Sequence, residues 1–364
     1  MTSSTEKEKP LNKLATVDAE TLMTTPLPAI RFVVERLLPQ GLHILAGAPK
    51  IGKSWLALHL CLCVARGEPI WEFPTTQGTV LYLCLEDSYT RIQHRLFEIT
   101  EDAPAALHFA NLSGSIGDGL EEQLKQFLSE HPDTKLVIID TLQKVRRSAP
   151  DSNPYASDYR DISALKALAD AHGIAILLVH HLRKMNDDDP LNMISGTTGL
   201  SGATDSSFVL KPSKRGSSTA TLYCTGRDIE YRELPLRFQK DAHTWELTEP
   251  VGDAAEPVDP ELLSLSEFLS GLSVFDGTAT ELSALLEQQT GECLLPSVLS
   301  KRLVRYAGEL EKAGVLITSS RTRDTRLLHI RTVLRDGSDG NDGKIETDPV
   351  PNLLSQPSQL SPGA

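Results

Sequence analysis

The sequence predicts an α/β protein, in which a mostly parallel sheet carries helices on both faces and a small helical unit with a β-hairpin follows. Three observations support this. The runs at 42–46, 79–85, 136–139 and 174–179 are almost wholly apolar and lack polar alternation, as strands buried on both faces require. Between them lie stretches with apolar residues at helical spacing, so strand and helix alternate along the chain. With 364 residues, 40% of them hydrophobic, the chain can bury one large core and one small one.

Residues 1–25 are polar and rich in Thr, Ser, Lys and Glu, and read as a flexible N-terminal arm. In 26–38, Ile30, Phe32, Val33, Val34, Leu37 and Leu38 are apolar enough to dock on the core as a strand or helix. A strand at 42–46 enters a glycine-containing turn, and the helix leaving it, 53–66, is stopped by Gly67. Gly78 breaks the chain before the strand 79–85, which ends on Glu86 and Asp87. Asp87 or Ser88 can cap a helix over 89–100 that puts Ile92, Leu96 and Ile99 on one face.

A weaker strand at 107–112 and a helix at 120–131 lead to the strand 136–140, which again ends on an acid, Asp140. The loop 141–157 holds Pro150, Pro154 and the pair Arg146 and Arg147. The helix 158–172 turns Ile162, Leu165, Leu168 and Ala169 inward and stops at Gly173. Strand 174–179 runs into His180 and His181. A long polar loop, 182–204, is of the kind usually reserved for function. The segments 206–210, 219–225 and 234–238 then read as antiparallel strands, closing a domain at 26–248.

A proline-containing linker, 249–260, precedes a second unit at 261–335. Helices are expected at 261–272, 280–289 and 296–313, with strands at 315–318 and 327–333 around an arginine-rich turn. Three helices followed by a β-hairpin is the order of a winged helix. The tail, 336–364, is rich in Gly, Asp, Pro and Ser and reads as disordered.

Composition narrows the function classes. The five cysteines form no C-x-x-C pair, and Cys61, Cys63 and Cys84 lie in apolar runs, which argues for a reducing, cytoplasmic location and against a disulfide framework or zinc site. Residues 1–11 contain no apolar h-region, and the longest apolar run, 55–65, is too short to span a bilayer. The net charge of −13 argues against a protein that coats nucleic acid with its whole surface. Between Lys301 and Arg335, however, nine basic residues face three acidic ones, so basic character gathers near the C-terminal end.

The chemistry centres on Gly47, Ala48, Pro49, Lys50, Ile51, Gly52, Lys53 and Ser54, which fit G-x-x-x-x-G-K-[ST] with a strand before and a helix after. Such a loop wraps phosphates in backbone N–H groups, while its Lys reaches the outer phosphates and its Ser coordinates Mg2+. The sequence therefore points to a nucleoside triphosphate, with Trp55 next along the helix. Phosphoryl transfer further needs a second acid for the metal, a base that orients water, and a cation for developing charge. Asp140 suits the metal, and Glu86, or less well Asp87, suits the base at a rigid strand end. One of His180 and His181, preferably His181, suits a sensor of the γ-phosphate. Arg227, in Thr225-Gly226-Arg227-Asp228, could serve a neighbouring subunit's site or pair with Asp228 or Glu230.

The stretches GLHILAGAPKIGKSWLALHL, VLYLCLEDSYTRIQHRL, LVIIDTLQKV, AILLVHHLRK with SGTTGLSGATDSSFVL, and TGRDIE, in that order across about 30–240, resemble the RecA-like P-loop ATPases. They are most similar to the plasmid RepA-type branch of ring helicases, relatives of the DnaB-like enzymes. The resemblance implies a RecA-like core that hydrolyses ATP with Mg2+ at the subunit interfaces of a ring, a hexamer. It assigns Lys53 and Ser54 to the Walker A motif, Asp140 to Walker B, Glu86 to the catalytic glutamate and His181 to the phosphate sensor. Arg95 matches a family arginine, and Arg183 and Lys184 begin a DNA-facing loop.

Two classes of function follow. One is a ring-forming helicase or translocase acting on single-stranded DNA in replication of a plasmid, phage or mobile element. The other is a nucleotide-dependent switch or loader without unwinding activity, whose C-terminal unit holds duplex DNA or a replication protein. Neither involves a membrane.

Overall fold

A computed structural model describes residues 16–27, 29–146, 154–182, 190–194, 202–214, 216–248, 259–321 and 326–332, the side chains of 154–161, 192 and 321 excepted. The chain falls into two compact units, Ile30–Ala254 and a second made of Met1–Ala29 with Ala255–Ala364.

The larger unit is built on a nine-stranded sheet in the order β11-β10-β9-β8-β3-β7-β6-β4-β5. Strands β3 (Gly41–Gly47), β4 (Thr79–Cys84), β5 (Leu107–Ala110), β6 (Thr134–Asp140), β7 (Ala175–His181) and β8 (Ser206–Pro212) are parallel. Strands β9 (Thr219–Gly226), β10 (Arg232–Gln239) and β11 (Thr244–Leu247) continue the sheet antiparallel. A small hairpin of β1 (Phe32–Val34) and β2 (Leu38–Pro39) resolves the expectation of a strand or helix before the phosphate loop.

Side chains of the central strands alternate between two cores. Leu45, Val80, Tyr82, Ile138 and Leu177 join the core under helices α2 (Lys53–Arg66) and α3 (Tyr89–Ile99). Leu42, Ile44, Leu81, Val137, Ile139 and Ile176 join the opposite core, with α4 (Leu120–Glu130), α5 (Leu142–Val145) and α6 (Pro154–His172). Because both faces are covered, the strands read as unbroken apolar runs. The α/β class with helices on both faces is the architecture observed.

Several boundaries differ from expectation for local reasons. Helix α6 starts at Pro154 rather than 158, since a proline fits the first turn, where its missing N–H has no partner to lose. Strand β7 runs on through His181, so both histidines belong to the strand. Strand β11 had no periodic signal and is held by pairing with β10 and by the buried Trp245. Of the capping alternatives for α3, Ser88 accepts the Arg91 N–H.

In the second unit, the described part of the expected N-terminal arm forms a helix, Ala19–Thr24, capped by Asp18. The remainder follows the order helix Pro260–Ser270, strand β12 (Val274–Gly277), helix Ala279–Thr290, helix Pro296–Arg305, short helix Ala307–Lys312, then strands β13 (Val315–Arg321) and β14 (Arg326–Thr332). Strand β12 adds to the expected hairpin, giving an antiparallel sheet in the order β12-β14-β13. The helix expected over 296–313 is broken at Tyr306, whose φ of −99° and ψ of 12° leave the helical region. Leu269, Leu282, Leu299, Leu310, Val315 and Ile330 fill the core. Of the expected linker 249–260, residues 249–258 lie outside the described residues, while Asp259 caps and Pro260 opens the first helix; the tail 336–364 also lies outside, as do Arg147, Arg183, Lys184, Arg323 and Arg335.

Candidate nucleotide site

Parallel strands bring their C-terminal ends to one edge of the sheet, where ligands of open α/β sheets bind. The loop after β3 turns through Lys50 (φ 64°) and Gly52 (φ 100°) into α2. Gly52 is the N-cap and supplies no side-chain acceptor, so the first N–H groups of α2 point into the loop with no capping side chain. Such groups, with the dipole behind them, attract anions. Trp245 supports the turn from behind by donating Nε1–H to the Gly52 carbonyl at 3.2 Å. A Cβ at Gly52 would approach that Nε1 to 3.0 Å, and L side chains rarely adopt the φ found there.

Lys53 lies 5% exposed, its Nζ donating to the carbonyls of Gly47 (2.8 Å) and Ala48 (3.0 Å) and lying 3.3 Å from His181 Nδ1. Burial pushes its ammonium down to about 8, a fall limited by the negative charges of Asp140 and Glu86. Ser54 donates its hydroxyl to Asp140 Oδ2 at 2.7 Å, and Tyr82 donates to the same oxygen at 2.8 Å. Burial raises the Asp140 carboxyl above the usual range, against the two hydrogen bonds that favour its charged form. The hydroxyl of Ser54 and the carboxylate of Asp140 are hard oxygen donors at the loop, the set that suits Mg2+. Among the described residues, no group of three or more His, Cys, Asp or Glu could hold a metal ion.

Glu86 and Asp87 follow β4 but have different partners. Glu86 Oε1 accepts the Thr141 hydroxyl at 3.2 Å. Asp87 takes Arg91 at 2.9 Å on one oxygen and Arg95 on the other. Asp87 is thus committed to two cations, which leaves Glu86 as the acid available to water. Arg95 also lies over the Trp55 ring, 5.4 Å from its centroid. Of the two histidines, it is His181 that reaches Lys53. Burial, followed by the charges of Arg146, His181 and Lys53, holds His180 down at about 4, so its ring is neutral at neutral pH.

These groups line one open cleft of about 560 Å³, which includes Pro49, Lys53, Ser54, Trp55, Glu86, Asp87, Arg95, Asp140 and His181. A separate void of about 40 Å³ beneath α2, lined by Leu37, Leu56, Trp71 and Phe208 among others, has only apolar walls and offers no chemistry. Arg227 does not join the cleft. Gly226 pairs with Ser206, which pairs with His43, whereas the phosphate loop begins four residues farther along β3, at Gly47. Arg227 therefore stands at the opposite end of the sheet, about 13 Å away along the strands. Of its possible partners it takes neither Asp228 nor Glu230 but Asp205, at 3.4 Å.

Sequence reasoning missed Tyr82, Thr141 and Trp245. Tyr82 carried a signal, a hydroxyl in the middle of an otherwise apolar run. Trp245 carried none, because its contact with Gly52 spans 193 residues.

No curated protein matches the sequence. Among solved structures, one that is described as an ATPase domain aligns with 58% of this chain and 85% of its own at 14% identity, with a TM-score of 0.48. A DnaB-like replicative helicase, described with its interactions with primase, aligns with 60% of this chain and 58% of its own at 14% identity, with a TM-score of 0.49. This chain thus spans less than two thirds of that helicase chain, and neither likeness bears on activity. The family model described as an AAA domain matches residues 7–187, a stretch that contains the phosphate loop, Glu86, Asp140 and His181 and excludes Arg227 and the C-terminal unit.

Proposed function

We propose that this chain is an ATP-hydrolysing motor of the RecA-like type, assembled as a ring, a hexamer, that acts on single-stranded DNA in replication of a plasmid, phage or mobile element. One observation carries the reading: Lys53, Ser54, Glu86, Asp140 and His181, drawn from the start of α2 and the ends of β4, β6 and β7, line a single cleft at the end of the sheet where phosphates bind. The AAA domain match over 7–187 supports the same reading.

In this reading the loop's N–H groups and Lys53 hold the triphosphate, and Ser54 and Asp140 would hold Mg2+, which would supply positive charge against the phosphates. Glu86 takes a proton from the attacking water. His181, on β7 and touching Lys53, senses the outer phosphate and passes its state to the segment after the strand. Arg227, too far from its own cleft, supplies its charge to that of a neighbouring copy, which requires assembly. An arginine given in trans stabilises transition-state charge without burdening the resting site.

Steady-state hydrolysis with and without single-stranded DNA, measured beside native mass, tests the motor. The expected result is a ring mass and a rate that rises with DNA and falls back with added salt. A monomer whose rate ignores DNA at low salt contradicts it.

A second reading, a switch or loader without unwinding, is favoured by the C-terminal unit. Its order of helices and strands, with the sheet order β12-β14-β13, supports a winged-helix-like module. Part of its basic excess is spent internally, however. Arg302 pairs with Glu261 and Glu292, and Arg331 with Asp276. That leaves duplex DNA or a replication protein as its partner.

A further inference from the structure

Asp205 lies just before β8, at the end of the sheet remote from the phosphate loop. Its carboxylate, in a residue 7% exposed, joins three segments. Oδ2 accepts the Leu42 N–H at 2.9 Å and Lys166 Nζ at 2.7 Å. Oδ1 accepts Lys166 at 2.9 Å and the Arg227 guanidinium at 3.4 Å. The Asp205 carbonyl also accepts the Arg227 N–H at 2.9 Å. Gly41 makes room, since a Cβ there would collide with Oδ2.

The two cations differ in grip. Lys166 touches both oxygens with its side chain 27% exposed, whereas Arg227 makes one long contact and is 60% exposed. Arg227 is therefore fixed by its backbone, while its charged end extends toward solvent. Burial opposes ionisation of Asp205, but the bonds from Lys166 and Leu42 outweigh it and hold the carboxyl below its usual range. A buried carboxylate left without its cation is costly, so loss of Lys166 favours closer pairing with Arg227.

Resting on the reading that Arg227 acts in a neighbouring copy's cleft, we propose that Asp205 and Lys166 are positioning residues for Arg227. The Asp205 carbonyl anchors the Arg227 backbone, and Lys166 takes the shorter bonds to the carboxylate, so that the guanidinium keeps one long contact and stays largely exposed.

The test compares kcat and KM for ATP in the full-length protein for Lys166→Met, Lys166→Arg, Lys166→Met with Asp205→Asn, and Arg227→Ala, with melting temperatures alongside. Arg227→Ala should lower kcat roughly 10³-fold. Lys166→Met should lower kcat about tenfold at unchanged KM, the size expected of a coupled charge network. Lys166→Arg should restore the rate. The double variant should recover most of the loss, because no carboxylate remains to recapture Arg227. Wild-type kcat in Lys166→Met, or a double variant that loses rate further in step with its melting temperature, overturns the positioning role. Unchanged kcat in Arg227→Ala instead overturns the trans reading, and the proposal falls with it.

Discussion

Ser54 and Asp140 meet across 2.7 Å, tying the first turn of α2 to the end of β6. Tyr82, from the neighbouring strand β4, donates to the same Asp140 oxygen at 2.8 Å. The acid is thus aimed by one group from the loop and one from the core.

Tyr82→Phe removes the core group while keeping the ring. A net loss of about 1 kcal/mol of stability is expected from one buried hydrogen bond, with Ser54 still present as a donor. The Mg2+ concentration needed for half-maximal hydrolysis should rise as Asp140 loses its orientation. Urea unfolding and a Mg2+ titration check the two effects separately.

Glu86→Gln should lower hydrolysis by about 10²–10⁴-fold while nucleotide binding persists, the range for loss of a general base. Asp87→Asn is the control, because Asp87 holds Arg91 and Arg95. A larger loss of turnover in Asp87→Asn than in Glu86→Gln would reverse the assignment.

The low Lys53 value, about 8, sets a pH dependence of stability with a definite sign. Unfolded, the amine titrates near its ordinary 10.5, so between about 8 and 10.5 the folded chain binds fewer protons than the unfolded one. Stability therefore gains with rising pH across that window, and below it the buried charge carries its full cost. Triphosphate binding restores the charge, so at pH near 8.5 binding should take up protons. Calorimetry in buffers of different ionisation enthalpy measures this uptake, and Lys53→Arg, whose charge is fixed, should abolish it.

Arg302 illustrates why a basic run need not be a binding face. Its side chain is 21% exposed and bridges Glu261 at 2.8 Å and Glu292 at 3.2 Å. Arg302→Ala should cost on the order of 1 kcal/mol, discounted for the exposure of its partners, and leave DNA affinity unchanged. Lys301→Ala, by contrast, should weaken duplex binding and reduce the salt slope by about one if the unit contacts DNA. Thermal melts and salt-dependent binding separate the two.

Most of the parallel sheet was legible because two-sided burial leaves unbroken apolar strands, and the loop from Gly47 to Ser54 carries its own spacing. Helix α2 agrees with expectation from Lys53 to Arg66, since Gly67 ends it through bonds to Cys63 and Val64. Strands β11 and β12 were not legible, being four residues each; β11 follows β10 across a short turn without a periodic pattern, and β12 depends on a partner distant in sequence, β14. Likewise, the sequence favours Glu86 over Asp87 only by its place at the strand end. Their partners differ, because α3 brings Arg91 and Arg95 onto the second acid.

Lys53 binds three partners inside the cleft and is the group most directly tied to the proposed chemistry. The decisive measurement is Mg2+-dependent ATP hydrolysis by wild type and Lys53→Ala, with circular dichroism to verify folding. The proposed role of Lys53 predicts steady turnover in wild type and a loss of at least about 10²-fold in a folded variant, the cost of removing a preorganised charge from a phosphoryl-transfer site. Undiminished turnover in folded Lys53→Ala would contradict it.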